Sequence, residues 1–216
     1  MGSIKRFNID ANIKKFDIKY FFETGTWRGD GLAYAARYNF EKLFSIEIMP
    51  EIAEEAKGRF KHDKRINIFT GSSHTIFPQL LSEIHGNTMF WLDAHYPGAE
   101  EGLKGYNEHN QQTERLPLEA EIEIIFEQRK EFSDLIIIDD LRIYEDGPFE
   151  SGNIPNNINV QNGRNLDFIS KAFGQTHSIE RLFANEGYII VAPRKIIGKP
   201  SIIPTLFNKI FRHKIY

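Results

Sequence analysis

The chain has 216 residues, a net charge of −3, 41% hydrophobic and 26% charged side chains, and no cysteine. That balance fits one soluble globular domain with a sizeable core and excludes wholesale disorder. Disulfides, thiolate metal sites and cysteine nucleophiles are excluded too, and a cytoplasmic location is the expectation.

The first fifteen residues carry lysines with no apolar stretch behind them, so they do not read as a secretory signal. Lys19–Glu23 is the first strand-like run, and Gly31–Tyr38 reads as a helix. Leu43–Glu47 is a second strand, followed by a helix over Pro50–Phe60, where Pro50 suits a helix start and Glu51, Glu54 and Glu55 favour the first turns. Ile66–Thr70 and Thr88–Asp93 are the third and fourth strands, with a helix over Ser73–Ile84 between them. Leu116–Lys130 is a long amphipathic helix. Asp134–Asp139 is a fifth strand, apolar enough to be central and buried on both faces. A helix over Asn165–Phe173 precedes a hairpin of Ser178–Phe183 and Tyr188–Ala192, turned at Asn185-Glu186-Gly187.

Strands alternating with helices imply βαβ units in a mostly parallel seven-stranded sheet, with helices on both faces and an antiparallel edge strand from the terminal hairpin. We expect a single domain with its core over about 19–193 and a basic extension over 194–216. From Tyr188 onward there are six Lys or Arg and no acid, leaving the rest with 21 basic against 30 acidic side chains. An acidic body is a poor partner for nucleic acid. No apolar run reaches the length of a membrane span. In the tail, Leu206, Phe207, Ile210 and Phe211 have helical spacing, which favours packing on the domain or on a second subunit over lying on an anionic membrane. Two stretches, Ala94–Arg115 and Leu141–Arg164, lack regular patterning. Each follows the carboxyl end of a strand, where open α/β sheets bind ligands, so they read as walls of a site.

Glu23-Thr24-Gly25-Thr26-Trp27-Arg28-Gly29-Asp30-Gly31 runs from a strand through a glycine-punctuated turn into a helix. This is the setting of a nucleotide-binding turn, but not of a dinucleotide one. Trp27 stands where the backbone must approach a pyrophosphate, and the Glu23 carboxylate would repel it. The same carboxylate attracts a ligand with ammonium and sulfonium groups. Glu47, ending the second strand, is placed to accept hydrogen bonds from ribose hydroxyls. Thr70-Gly71-Ser72-Ser73 forms a small polar turn fit to lie along an adenine, although Ser73 also suits a helix N-cap. In order at three strand ends, these residues point to an adenosyl ligand.

The stretch E-T-G-T-W-R-G-D-G resembles motif I of class I S-adenosylmethionine-dependent methyltransferases. E-T-G-x-W-R-G in particular resembles the metal-dependent sugar O-methyltransferases of the macrocin O-methyltransferase group, over roughly Tyr20 to Ile143. The resemblance implies a Rossmann-like methyltransferase fold and S-adenosyl-L-methionine as cofactor. Its binding set is expected to be Glu23, Thr24, Gly25, Gly29, Glu47, Gly71, Ser72, Ser73 and Asp93. It also implies a divalent cation, Mg²⁺ by preference, on Asp93, Asp139 and Asp140, three acids at the ends of strands four and five that would repel one another without a cation. His95, two residues beyond Asp93, is the expected general base, with Asp93 beside it and His109 as second choice. The implied acceptor is a carbohydrate hydroxyl, expected on a nucleotide-linked sugar, serving surface polysaccharide or a glycosylated metabolite. Lys104, Arg115, Arg142 and Arg164 are on hand for a diphosphate, and a homo-oligomer is compatible. The alternatives are a metal-independent methyltransferase of another small acceptor and a non-catalytic binding protein on the same fold. A nicotinamide-dependent oxidoreductase ranks third, disfavoured by Trp27 and Glu23.

Overall fold

A computed structural model describes residues 3–94, 116–154 and 165–195. Its seven strands are β1 (Tyr20–Thr24), β2 (Lys42–Glu47), β3 (Ile66–Thr70), β4 (Thr88–Leu92), β5 (Leu135–Ile138), β6 (His177–Leu182) and β7 (Tyr188–Pro193). The helices among the described residues are α1 (Ile9–Phe16), α2 (Asp30–Ala35), α3 (Pro50–Phe60), α4 (Ser73–Leu81), α5 (Leu118–Gln128) and α6 (Asp167–Phe173), with short 3₁₀ turns at Ile4–Arg6 and Leu141–Ile143.

The sheet order is β3-β2-β1-β4-β5-β7-β6. The first five strands pair in parallel, while β7 runs antiparallel to both β5 and β6. The mostly parallel sheet with an antiparallel edge is therefore as the sequence pattern predicts. Strand β5 is indeed internal and fully buried.

Period-2 alternation along the strands sends side chains to two apolar layers. Phe22, Phe90, Leu92, Ile136 and Ile138 join Phe77, Ile122, Ile125 and Ile169 of α4, α5 and α6 on one face. Phe21, Leu43, Trp91 and Ile137 join residues of α1 and α2 on the other. Ile4, Phe7, Ile9, Phe16 and Ile18 are buried in that second layer, so the core begins upstream of residue 19. Phe7 packs edge-on against Trp91 and Tyr188, and the Tyr188 hydroxyl accepts from the Ser3 amide at 2.8 Å. The basic extension beyond Lys195 lies outside the described residues.

One buried ion pair fixes the end of the sheet opposite the strands' carboxyl ends. Arg129, at the close of α5, donates to both Asp134 oxygens at 2.9 and 3.0 Å, to Gly86 O at 2.6 Å and to Ile84 O. Asp134 in turn accepts from the Thr88 amide at 2.7 Å, so the pair ties α5 to the starts of β4 and β5. Removing one partner leaves a buried charge uncompensated. Arg129→Met should destabilise the chain by about 3–5 kcal/mol in urea unfolding, and loss of under about 1 kcal/mol would show that the pair is dispensable.

Candidate active site at the switch between strands one and four

Chain order reverses between β1 and β4, and the carboxyl ends of these neighbours form the crevice where such sheets take ligands. The β1 turn crosses the end of β4 at very short range. A Cβ on Gly25 would come 2.5 Å from Asp93 O and 3.2 Å from the Ala94 amide nitrogen, and Gly25 has φ +81°. Glycine is required there on both counts. The Asp93 amide donates to Thr24 O at 3.1 Å, and the Gly25 amide to Ile46 O at 3.0 Å, so the turn is held by strands on both sides.

Glu23 points into the α1/α2 layer and is only 2% exposed. Its Oε2 accepts from Ser45 Oγ at 2.7 Å, and Ser45 Oγ is 2.6 Å from Thr26 Oγ1. Gly31 gives the other oxygen its space, since a Cβ there would collide with Glu23 Oε1. Burial, helped by the charges of Asp93 and Glu47 and opposed by the Ser45 bond, pushes the Glu23 carboxyl up to about 8. Glu47 accepts the Trp27 amide at 2.7 Å and the Met49 amide at 3.0 Å. The first of these bonds holds Trp27 at φ +47°, an unusual conformation for a bulky residue. Burial raises the Glu47 carboxyl as well, with those amides opposing.

The third turn differs in one detail from its sequence reading. Ser72 is the N-cap of α4, and Ser73 is its first helical residue, buried at 6% exposure. Ser72 Oγ lies 2.8 Å from His74 Nδ1.

The acids of strands four and five are brought together only in part. Asp93 and Asp139 follow the paired residues Leu92 and Ile138, and both line one cavity. Asp140 is absent from that lining. It has φ +56°, its amide donates to Asp139 Oδ1 at 2.8 Å, and the chain then docks on the β6–β7 turn through Leu141 N to Gly187 O at 3.0 Å. All-oxygen donors suit a hard ion, yet among the described residues no three His, Cys, Asp or Glu side chains stand grouped as a metal centre. His95, His109, Lys104, Arg115 and Arg164 lie outside the described residues. Arg142 sits 3.7 Å from Glu186.

One site residue was missed in the sequence. Glu121, in the first turn of α5, lines the cavity with Asp93 and Asp139. It is 1% exposed, and burial pushes its carboxyl up to about 7, opposed by the hydroxyls of Ser73 and Thr24. A signal was present. Leu118, Ile122 and Ile125 define the helix's buried stripe, and position 121 falls on it.

Two expectations follow. Gly25→Ala should cost about 1–3 kcal/mol of stability in chemical unfolding through left-handed strain and the clash with Asp93 O. An unchanged midpoint would mean that the turn has room the structure denies it. The second concerns pH. Glu23 and Glu121 keep protons in the folded chain that the unfolded chain loses above about pH 4.5. Their contribution therefore makes stability fall as pH rises from about 4.5 to 8. Thermal melts over that window should show Glu121→Gln flattening the decline, and a slope identical to wild type would contradict it.

No family model matches this sequence, and no curated protein matches it. Solved structures do. An O-methyltransferase from Bacillus cereus in complex with S-adenosylhomocysteine (SAH) superposes with a TM-score of 0.53 at 12% identity, covering 90% of this chain and 82% of its own. A putative caffeoyl-CoA O-methyltransferase from Staphylococcus aureus gives 0.57 at 15% identity, with 89% and 84% covered. Spermidine synthase from Thermotoga maritima gives 0.53 at 15% identity, covering 89% of this chain and 59% of its own. The strand order, the antiparallel edge and the crevice between β1 and β4 together with these likenesses show that the chain has the Rossmann-like class I methyltransferase fold.

Proposed function

We propose that the protein is an S-adenosylmethionine-dependent O-methyltransferase acting on a carbohydrate hydroxyl. The observation that carries methyl transfer is the carboxylate-lined crevice at the β1–β4 switch, on a fold whose solved examples include O-methyltransferases with SAH bound. In this reading the cofactor's ammonium group faces the end of β1, where Glu23, Thr24, Gly25 and Gly29 form the turn. Glu47 accepts the ribose, and Gly71, Ser72 and Ser73 border the adenine. The carbohydrate acceptor, nucleotide-linked in this proposal, rests on the resemblance of the E-T-G-T-W-R-G stretch.

The acceptor lies over the ends of β4 and β5. Its hydroxyl must meet the methyl group in line, away from water, and lose its proton. Asp93 orients that hydroxyl, and His95 takes the proton. A divalent cation, Mg²⁺ in this proposal, belongs with Asp93, Asp139 and Asp140, and when bound it supplies acidification of the hydroxyl.

Calorimetry tests the cofactor assignment. SAH should bind and NAD should not, with Glu23→Ala and Glu47→Ala each weakening SAH by about 1–3 kcal/mol. Because Glu23 holds a proton near pH 7, pairing it with an ammonium group should release that proton. The binding enthalpy should then vary with buffer ionisation enthalpy, and Glu23→Gln should remove the dependence. Binding of NAD without response to SAH would overturn the reading. Transfer of labelled methyl to a panel of nucleotide sugars tests catalysis. Activity should fall steeply in Asp139→Asn and in EDTA, whereas full turnover after verified removal of ions would eliminate the cation and leave methyl transfer standing.

A further inference from the structure

The N-terminal segment makes directed contacts with the strand ends that carry the acceptor-side acids. Phe7 is buried and meets two rings edge-on, Tyr188 at 5.3 Å between centroids and Trp91 at 6.0 Å. Trp91 and Tyr188 lie 6.1 Å from each other, closing a triangle of rings. The Trp91 indole N–H donates to Asp93 Oδ2 in a long bond of 3.4 Å. Tyr188 stands opposite the other acid. The antiparallel register pairs Ile138 with Ile189, so residues 139 and 188 occupy the next position along the two strands. Burial first, and the charge of Asp139 second, hold the Tyr188 hydroxyl above its ordinary range.

Polar bonds hold this segment in place. The Ser3 amide and Asn185 Nδ2 both donate to the Tyr188 hydroxyl, at 2.8 and 3.1 Å. Arg6 donates to Asn185 Oδ1 at 2.8 Å and to Glu150 Oε2 at 3.3 Å, and the Asn185 amide donates to the same Glu150 oxygen at 2.9 Å. Asn185 has φ +51°, and the turn it opens accepts the Leu141 and Arg142 amides on Gly187 O and Glu186 O, each at 3.0 Å. The segment thus reaches the end of β4 through its ring contacts, and the chain after β5 through the β6–β7 turn. Covering an apolar sheet face needs no such bonds, because hydrophobic burial has no direction. Hydrogen bonds do have one, and here they converge on the two strand ends that bear Asp93 and Asp139.

We propose that Ser3–Phe7 is a strap that positions the acceptor side of the crevice from the α1/α2 face, with Trp91 and Tyr188 as positioning residues acting through Asp93 and Asp139. What those acids do for an acceptor rests on the methyltransferase reading, whereas the positioning itself does not. Trp91 restricts the orientations open to the Asp93 carboxylate. Tyr188, tied to Ser3 and Asn185, fixes the start of β7 beside Asp139 and the turn that follows it. In-line transfer is sensitive to such placement, since a shift of about 1 Å costs on the order of a hundredfold in rate. The cofactor turns lie at the ends of β1, β2 and β3, so the strap serves the acceptor step rather than cofactor binding.

Hydrogen exchange on the full chain tests the strap without any acceptor. Tyr188→Phe keeps the ring and removes the oxygen to which Ser3 and Asn185 donate. Amides of 138–142 should then exchange at least about tenfold faster, while those of β2 and β3 stay within about twofold of wild type. Arg6→Ala, a change at the partly exposed edge, should speed the same amides and decides the matter if Tyr188→Phe does not fold. Unchanged exchange at 138–142 overturns the proposal, and so does equal acceleration across the whole sheet, which a general loss of stability would give. Kinetics add a second arm, with whichever nucleotide sugar accepts the labelled methyl group. Trp91→Phe, which removes the donor to Asp93, should lower kcat at least about tenfold with the KM for S-adenosylmethionine unchanged. SAH affinity should stay within about twofold in all three variants, as expected of residues outside the cofactor turns. An unchanged kcat in Trp91→Phe, or a loss of SAH affinity as large as that of Glu23→Ala, would overturn the proposal. If the wild type binds no SAH, the methyltransferase reading falls alone, and exchange still decides whether the strap fixes these strand ends.

Discussion

The close crossing of the Gly25 turn over the end of β4 is the constraint on which the site depends. A side chain at Gly25 would strike the Asp93 carbonyl, so β1 and β4 can adjoin at their carboxyl ends only because that position is glycine. The crossing brings three things within one crevice: the end of β1 with Glu23 and Thr24, the end of β4 with Asp93, and the end of β2 through the Gly25 and Thr26 amides bonded to Ile46 O. Without it the acids would sit at separate strand ends, each beside water. With it, several carboxylates share a low-dielectric rim.

That rim is electrostatically unfavourable by itself. Glu23, Glu47 and Glu121 are buried, and burial raises all three carboxyls despite hydroxyl and amide donors aimed at them. The opposite end of the sheet is arranged differently, because there Asp134 is buried against Arg129, which supplies a full countercharge and a fork of donors. The contrast is informative. A buried acid with its own arginine is structural, whereas a buried acid provided only with hydroxyls and amides is suited to a positive charge that arrives from solution.

The fold leaves the reaction open. A spermidine synthase shares it at a TM-score similar to those of the O-methyltransferases, so the assignment of chemistry has to rest on the side chains at the crevice. In this chain those side chains are carboxylates at successive strand ends, with Trp27 in the turn between them, its amide held by Glu47. Their charge makes the crevice acidic and suits it to positively charged groups.

Hydrophobic periodicity determined the sheet and nearly every element, because the period-2 runs and the glycine-marked turns are local properties of the sequence. It also located Glu23, Glu47, Asp93 and Asp139 at strand ends, since an acid closing an apolar run is visible without coordinates. The N-terminal segment was not legible as core: Ile4, Phe7, Ile9 and Phe16 are scattered among charges, and only the sheet face they cover explains their burial. The composition of the acidic cavity was likewise decided in three dimensions. Asp139 and Asp140 are adjacent in sequence, but the backbone turns left-handed at Asp140 and only Asp139 lines the cavity. Glu121 is 28 residues from Asp93 and reaches the same cavity because α5 packs across β4 and β5 with position 121 on its buried stripe. Spacing along the chain identifies which acids end strands. Only packing decides which of them face one another, since that depends on helix rotation and turn handedness, which no local pattern encodes.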